Sequence, residues 1–166
     1  MMSNTVELVE HVRRRLQGND NACKISGPVD EAAIASAEEA LGCAFPPSYR
    51  NFLSTFGGLT IPPHLGIVHD FVGLHTTGDV DDVVRRTLRA REERKLGTHL
   101  IIVAMGAQGQ EWFCLDSGRA TNAGEYPVVL FDARDNALDQ QFYDDFDHML
   151  SEVMSFVAEN LEQPLD

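Results

Sequence analysis

Between Asn4 and Leu16 the apolar residues Leu8, Val12 and Leu16 recur at every fourth position, with Val9 beside them, which is the spacing of one helix face. Asn4 followed by Glu7 resembles a capping box, and Gly18 is a natural stop. A second helix is predicted after Val29. Asp30 can accept from its free N–H groups, Val29 and Ile34 stand at the two positions of a hydrophobic staple, and Ala33, Ile34, Ala37 and Leu41 lead to Gly42 as its end. The short link Cys43-Ala44-Phe45-Pro46 then opens a third helix with Pro47 in its first turn. Tyr49, Phe52, Leu53 and Phe56 follow the i, i+3, i+4, i+7 pattern there, and Gly57-Gly58 closes it.

The period shortens in the middle of the chain. Gly66 to His69 and Phe71 to His75 are short apolar pieces broken by glycine, as strands are. A helix is expected from about Asp79 to Leu96, with Val80, Val83, Val84 and Leu88 on one face. Asp79, Asp81 and Asp82 at its start and Arg91, Arg94 and Lys95 at its end complement the helix dipole. Leu100 to Ala104 is a continuous apolar run of central-strand type. Glu111 to Asp116 follows the turn Gly106 to Gly109, and Pro127 to Asp132 follows the loop Ser117 to Glu125. Links this short join antiparallel neighbours, because parallel strands need longer crossovers. The last helix is expected from about Phe142 to Leu161, carrying a wide stripe of Phe142, Phe146, Met149, Leu150, Val153, Phe156, Val157 and Leu161. Helices at both ends of a strand-rich middle predict an α+β fold, a single domain with a central, mainly antiparallel sheet and helices packed around it. The expected organisation is a helical extension over 1–27, the α+β domain over 28–162 and a short tail over 163–166.

Composition narrows the class. A chain of 166 residues with 43% apolar side chains can bury a core of its own. No apolar run approaches the ~20 residues that span a bilayer, and the first residues lack the basic start and apolar stretch of a secretory signal, so the expected location is the cytoplasm and no membrane partner is expected. Cys23, Cys43 and Cys114 are odd in number, far apart and without a CxxC pair, which argues for small buried apolar residues rather than a disulfide framework or a zinc knuckle. The net charge of −13 sets the phosphates of nucleic acid against the protein and favours basic partners.

Candidate chemistry is sparse. Neither GxxxxGK[ST] nor GxGxxG between a strand and a helix is present, so nucleotide binding has no support, and no GxSxG elbow anchors a triad. His64, His69 and His75 lie within twelve residues near Asp70 and Asp79, all of them metal-ligand types, but their spacing fits no standard metal motif and ordinary loop and strand histidines account for them. The pairs Asp81-Asp82 and Asp144-Asp145 fall on helix exteriors, where solvation explains a charge. No catalytic residue, metal or cofactor is assigned. Charge distribution says more. Six of the thirteen basic residues lie between Arg85 and Lys95, a basic island that is either solvated surface or a dock for the acidic C-terminus. From Asp132 to Asp166 ten acidic residues face one basic side chain, Arg134. Packing of the apolar stripe does not require so one-signed an outer face. Asp139, Asp144, Asp145, Asp147, Glu152 and Glu159 are therefore expected to form part of a docking surface for a basic protein.

The run Val29-Asp30-Glu31-Ala32-Ala33-Ile34 through Glu38, Leu41-Gly42, Phe45-Pro46, Tyr49, Phe52-Leu53 and Gly57-Gly58 resembles the opening signature of the SUKH superfamily, the Smi–Knr group named after fungal cell-wall-assembly regulators. Leu100 to Ala104, Trp112 to Asp116, Val128 to Asp132 and Phe142-x-x-x-Phe146 resemble its later pieces, so the similarity spans about Pro28 to Leu161. The resemblance implies an α+β fold and a non-catalytic, protein-binding role. Bacterial members are associated with polymorphic toxin systems as immunity proteins, which implies a basic toxin or effector domain, often a nuclease, as partner. It also leaves open a regulatory or scaffold module with an endogenous partner. Exposed aromatics, Trp112 or Tyr126, would anchor a standard interface, and core packing in a central strand is the other role open to Trp112.

Overall fold

Every strand of the sheet pairs with its neighbours in sequence. In a computed structural model, which describes residues 2–16, 23–62, 67–74, 82–106 and 108–162, seven strands form one sheet in the order β1 to β7, antiparallel throughout. They are β1 (Lys24–Ile25), β2 (Leu59–Thr60), β3 (Val68–Phe71), β4 (Leu100–Gly106), β5 (Glu111–Asp116), β6 (Val128–Asp132) and β7 (Ala137–Tyr143). Among the described residues five α-helices punctuate this meander: α1 (Met2–Arg15) before it, α2 (Glu31–Leu41) and α3 (Pro47–Thr55) between β1 and β2, α4 (Val83–Glu93) between β3 and β4, and α5 (Phe146–Glu162) after it. The fold is α+β, as the pattern predicts.

Strand alternation sorts the core into two layers. Ile101, Phe113, Leu115, Val128 and Leu130 point to one face and join α1, α3 and α5 through Val9, Val12, Phe52, Phe146, Leu150 and Val157. Leu100, Ile102, Cys114, Val129 and Phe131 point to the other, where Ala90 of α4 and Leu96 cover them. The first layer centres on an aromatic cluster. Phe52 lies within 6.3 Å, centroid to centroid, of Tyr49, Phe56, Phe71 and Phe146, and the Tyr49 hydroxyl donates to the Val72 carbonyl at 2.6 Å.

Helix ends follow local chemistry. Asp30 accepts from Ala33 N at 2.8 Å, and Gly42 closes α2 in the left-handed region at φ 75°, both as expected. Pro46, at the start of α3, offers no side-chain acceptor. Glu125 supplies one from 77 residues away, taking Ser48 N at 3.0 Å and the Ser48 hydroxyl at 2.7 Å. The Gly57 end of α3 meets two other backbones: Gly27 N donates to Phe56 O, and Leu74 N donates to Gly57 O. A Cβ on Gly57, which has φ 76°, would stand 1.9 Å from the Gly27 carbonyl oxygen, and one on Gly73 would stand 1.5 Å from that of Gly57.

Four expectations change. Asn4 lies inside α1 rather than capping it. α4 is shorter, starting at Val83 with Asp82 as its cap; residues 79–81 lie outside the described set. Its buried face is Val83, Thr87 and Ala90, while Leu88 is 41% exposed, because the Thr87 hydroxyl accepts from Ile102 N at 3.1 Å and turns that side toward the sheet. Residues 137–143 form β7, not the start of the last helix: Asn136, at φ 50°, reverses the chain after β6, and Phe131 and Val129 pair with Leu138 and Gln141.

Burial of acidic groups that ordinarily titrate at high pH gives the fold an alkaline limit. Burial pushes the Cys23 thiol up to about 11, and also raises Cys114, Tyr49 and Tyr143, with the Asp82 and Asp70 carboxylates adding to the effect at Tyr49. The unfolded chain loses those protons from about pH 8.5 for Cys and 10 for Tyr, whereas the folded chain retains them, so stability is fully present below that range and falls as pH rises. Urea midpoints at successive pH values should be level up to about pH 8 and decline above it. A flat profile through pH 10.5 would show that these groups ionise freely in the folded protein.

Candidate functional site

The outer face of α5 carries its acids in two different employments. Asp145 accepts from His148 N at 2.8 Å and so caps the helix, and Asp147 accepts from the Thr5 hydroxyl at 2.8 Å and so fastens α1. These two hold the fold. Asp144, Glu152 and Glu159 are exposed, with His148 between the first two: its ring nitrogens lie 3.9 Å from Asp144 and 3.2 Å from Glu152. Asp139 is exposed on β7, the last strand of the sheet.

Glu152 and Glu159 border a groove of about 440 Å³ that also takes in Ile67, Tyr143, Val153 and Phe156. Ile67 is 56% exposed and Phe156 is 52% exposed. Phe156 belongs to the apolar stripe read from the sequence, yet it lies at the margin of that stripe, one helical turn from each glutamate. Phe146, Leu150, Val153 and Val157 form the buried centre. The signal that could have singled out Phe156 is the width of the stripe, since eight positions cover more of a helix than one sheet face can bury. Apolar floor, aromatic edge and carboxylate rim together form a surface suited to a basic protein with an apolar contact residue.

Trp112 stands elsewhere. It is half-buried on β5, on the sheet face covered by α4, with its ring stacked on Phe131 at 5.5 Å and its indole N–H donating to the Gly109 carbonyl at 3.1 Å. The expected docking residues are thus divided between the two faces: the acids lie with α5 and β7, and the tryptophan lies beside the basic helix α4. Tyr126 is tied down as well, its hydroxyl donating to the Ala44 carbonyl at 2.8 Å.

The histidine cluster resolves only in part. His69 Nδ1 lies 2.6 Å from the Ile61 carbonyl oxygen, which can only accept, so that nitrogen carries the proton. His64 and His75 lie outside the described residues. Among the described residues no three metal-ligating side chains converge and no helix is long and apolar enough to cross a membrane. Cys23 and Cys114 are buried and Cys43 half-buried, all three as thiols.

Comparison with known proteins supplies the remaining evidence. A family model described as SMI1-KNR4 cell-wall, SUKH_5, matches residues 5–155. The fold is similar to that in a crystal structure of a protein from Pseudomonas syringae pv. tomato, with a TM-score of 0.62, 14% identity, and coverage of 90% of this chain and 98% of that one. No curated protein matches the sequence.

Proposed function

The chain belongs to the SMI1-KNR4 family, and from that premise we propose that it is a non-catalytic immunity protein that binds a basic toxin or effector domain through the α5 groove and neutralises it. The observation that carries this reading is the groove itself, where exposed Phe156 and Ile67 share the lining with Glu152 and Glu159 on a chain of net charge −13. Carboxylates around an apolar patch draw a basic partner in from a distance and fix its orientation, while the buried aromatic contact supplies the holding energy. A tight inhibitor needs roughly 1,600 Å² of total interface, so the contact extends past the groove, along His148 in the first turn of α5 and Asp144 just before it. The acidic surface would lie over whatever cationic cleft the toxin uses to hold its own substrate, which explains neutralisation without any reaction on the inhibitor's part.

The test begins with a partner captured on the tagged protein from its own cells. Expressed alone, that partner should arrest growth, and co-expression of this chain should restore it. Changing Asp144, Glu152 and Glu159 together to Lys should slow association at least about tenfold at low ionic strength, with the difference shrinking in salt, and should leave stability within about 0.5 kcal/mol. A partner that is harmless on its own would replace the immunity role with that of a regulatory module, and an unchanged association rate would remove α5 as the docking surface.

A further inference from the structure

The basic island on α4 does not dock the described C-terminal helix, which packs on the opposite face of the sheet against α1. It forms one wall of a separate cleft. Arg86, Arg89, Glu93 and Arg94 line one side, Met105 and Trp112 lie on the strands facing them, and the enclosed volume is about 210 Å³. The apolar side is built by register: Met105 pairs with Trp112, Trp112 with Phe131 and Phe131 with Leu138, so four large side chains cross the sheet in a row on one face. Leu138 at the end of the row is 51% exposed. Beyond Arg86 and Met105, which line both, the cleft continues into a second depression of about 360 Å³ beside His69 and Asp70.

Three guanidinium groups outnumber the two nearby carboxylates, Glu93 and the Asp70 that faces Arg86, and reverse the sign of the molecule at this point, since the chain as a whole carries −13. Two of the arginines are held in place rather than splayed. Arg94 donates to the Ala133 carbonyl at 3.0 Å, and Arg86 stands 3.6 Å from the Asp70 carboxylate while its buried Nε makes no hydrogen bond. Guanidinium planes recognise carboxylates through paired donors, and the Trp112 and Met105 surfaces favour an apolar neighbour.

We propose that this cleft is a second protein-binding site, one that takes an acidic segment presenting a carboxylate side chain followed by an apolar one. The first compartment is smaller than the ~300–1,000 Å³ usual for drug-sized ligands, and the shared arginine between two depressions suits an extended chain that places one residue in each. Net charge selects among anions. An extended polyanion such as nucleic acid meets the repulsion of the whole molecule, whereas a short acidic segment brings only one or two charges. The protein would then hold a basic surface with one face and an acidic segment with the other. This inference is independent of the proposal for α5.

Trp112 is the single tryptophan of the chain, so its emission reports on the cleft directly. Titration with acetyl-Glu-Glu-Phe-amide, excited where phenylalanine is silent, should give a saturable change. Acetyl-Gln-Gln-Phe-amide should bind at least about tenfold more weakly, a difference of about 1.4 kcal/mol. R86Q/R89Q should weaken the acidic peptide to the level of the neutral one, with the thermal midpoint confirming that the variant folds; R89Q alone, at an exposed position, gives a partial loss if the double variant does not. Equal response to both peptides, or none at millimolar concentration, overturns the proposal. Tighter binding of an oligothymidylate than of the peptide also overturns it, in favour of a phosphate-reading site.

Discussion

Phe52→Ala should lower the free energy of unfolding by about 3–5 kcal/mol, the usual range for removing a large buried aromatic. Phe52 is fully buried and its ring lies against four others drawn from α3, the strand β3 and α5. Truncation opens a cavity at the point where these elements meet, and Tyr49 and Phe146 cannot close it without leaving their own contacts. For a domain whose total stability is in the ordinary range of about 5–15 kcal/mol, that is a large share. Phe156→Ala is the matched control. The ring there is half out of water, so the same chemical change should shift stability by only about 0.5 kcal/mol. Urea unfolding of the two variants checks both values at once. Equal losses would mean that the aromatic cluster is not the centre of the core, or that Phe156 is not the exposed contact residue the α5 groove requires.

Gly57→Ala should cost at least about 3 kcal/mol, the top of the usual range for a single substitution. Two penalties coincide there. The left-handed backbone at φ 76° disfavours any Cβ by about 1–2 kcal/mol, and the added atom would meet the Gly27 carbonyl oxygen at 1.9 Å. Backbone cannot swing aside as a side-chain tip can. Two other glycines separate the contributions. Gly42, at φ 75° with nothing within 4 Å of the added atom, should lose only the conformational part when changed to Ala. Gly73 needs no left-handed backbone but would place a Cβ 1.5 Å from the Gly57 oxygen, so its loss should be steric alone. Thermal unfolding of the three alanine variants should rank Gly42 as mildest. A Gly57 variant no worse than the Gly42 variant would show that the three backbones separate at little expense.

Local chemistry made the first half of the chain legible. Asp30, Gly42 and Pro47 act within their own helices, and their roles can be read one turn at a time. β4, β5 and β6 were legible for a different reason, because strands buried on both faces are apolar at nearly every position. β7 was obscured by its place at the margin of the sheet, where polar Asp139 and Gln141 are tolerated and where Phe142 and Phe146 happen to fall four apart. Asn136 was the available clue, a residue suited to a left-handed reversal directly after a strand. The orientation of α4 was hidden because Thr87 turns inward on a hydrogen bond to a strand fifteen residues later, which no hydropathy pattern records. Charge gave the acidic character of α5, but not which acids serve the fold. Asp145 and Asp147 differ from Glu152 and Glu159 only in what stands next to them in space. Whether Trp112 shares a face with those acids was hidden too, because sequence order says nothing of sheet faces, and a side chain's face is settled only once register is known.

The pairing of α1 with α5 governs the order in which the protein can be finished as it leaves the ribosome. Strands that pair with their sequence neighbours can zip as they emerge, each hairpin complete within tens of residues. α1 emerges first, yet its apolar face, Val9, Val12 and Leu16, waits for a helix translated after every strand. At ~5–20 residues per second that wait lasts several seconds or more. During it, a short amphipathic helix with three arginines at its end, Arg13, Arg14 and Arg15, is available to chaperones or to wrong neighbours. Docking then ties α1 to α5: Thr5 meets Asp147, and Arg15 reaches the Leu161 carbonyl. Loss of the last helix would strip the first of its partner as well, so a nascent chain stopped before α5 would be left with both a bare sheet face and an orphaned helix, a form that quality control should clear rather than one that retains half its activity.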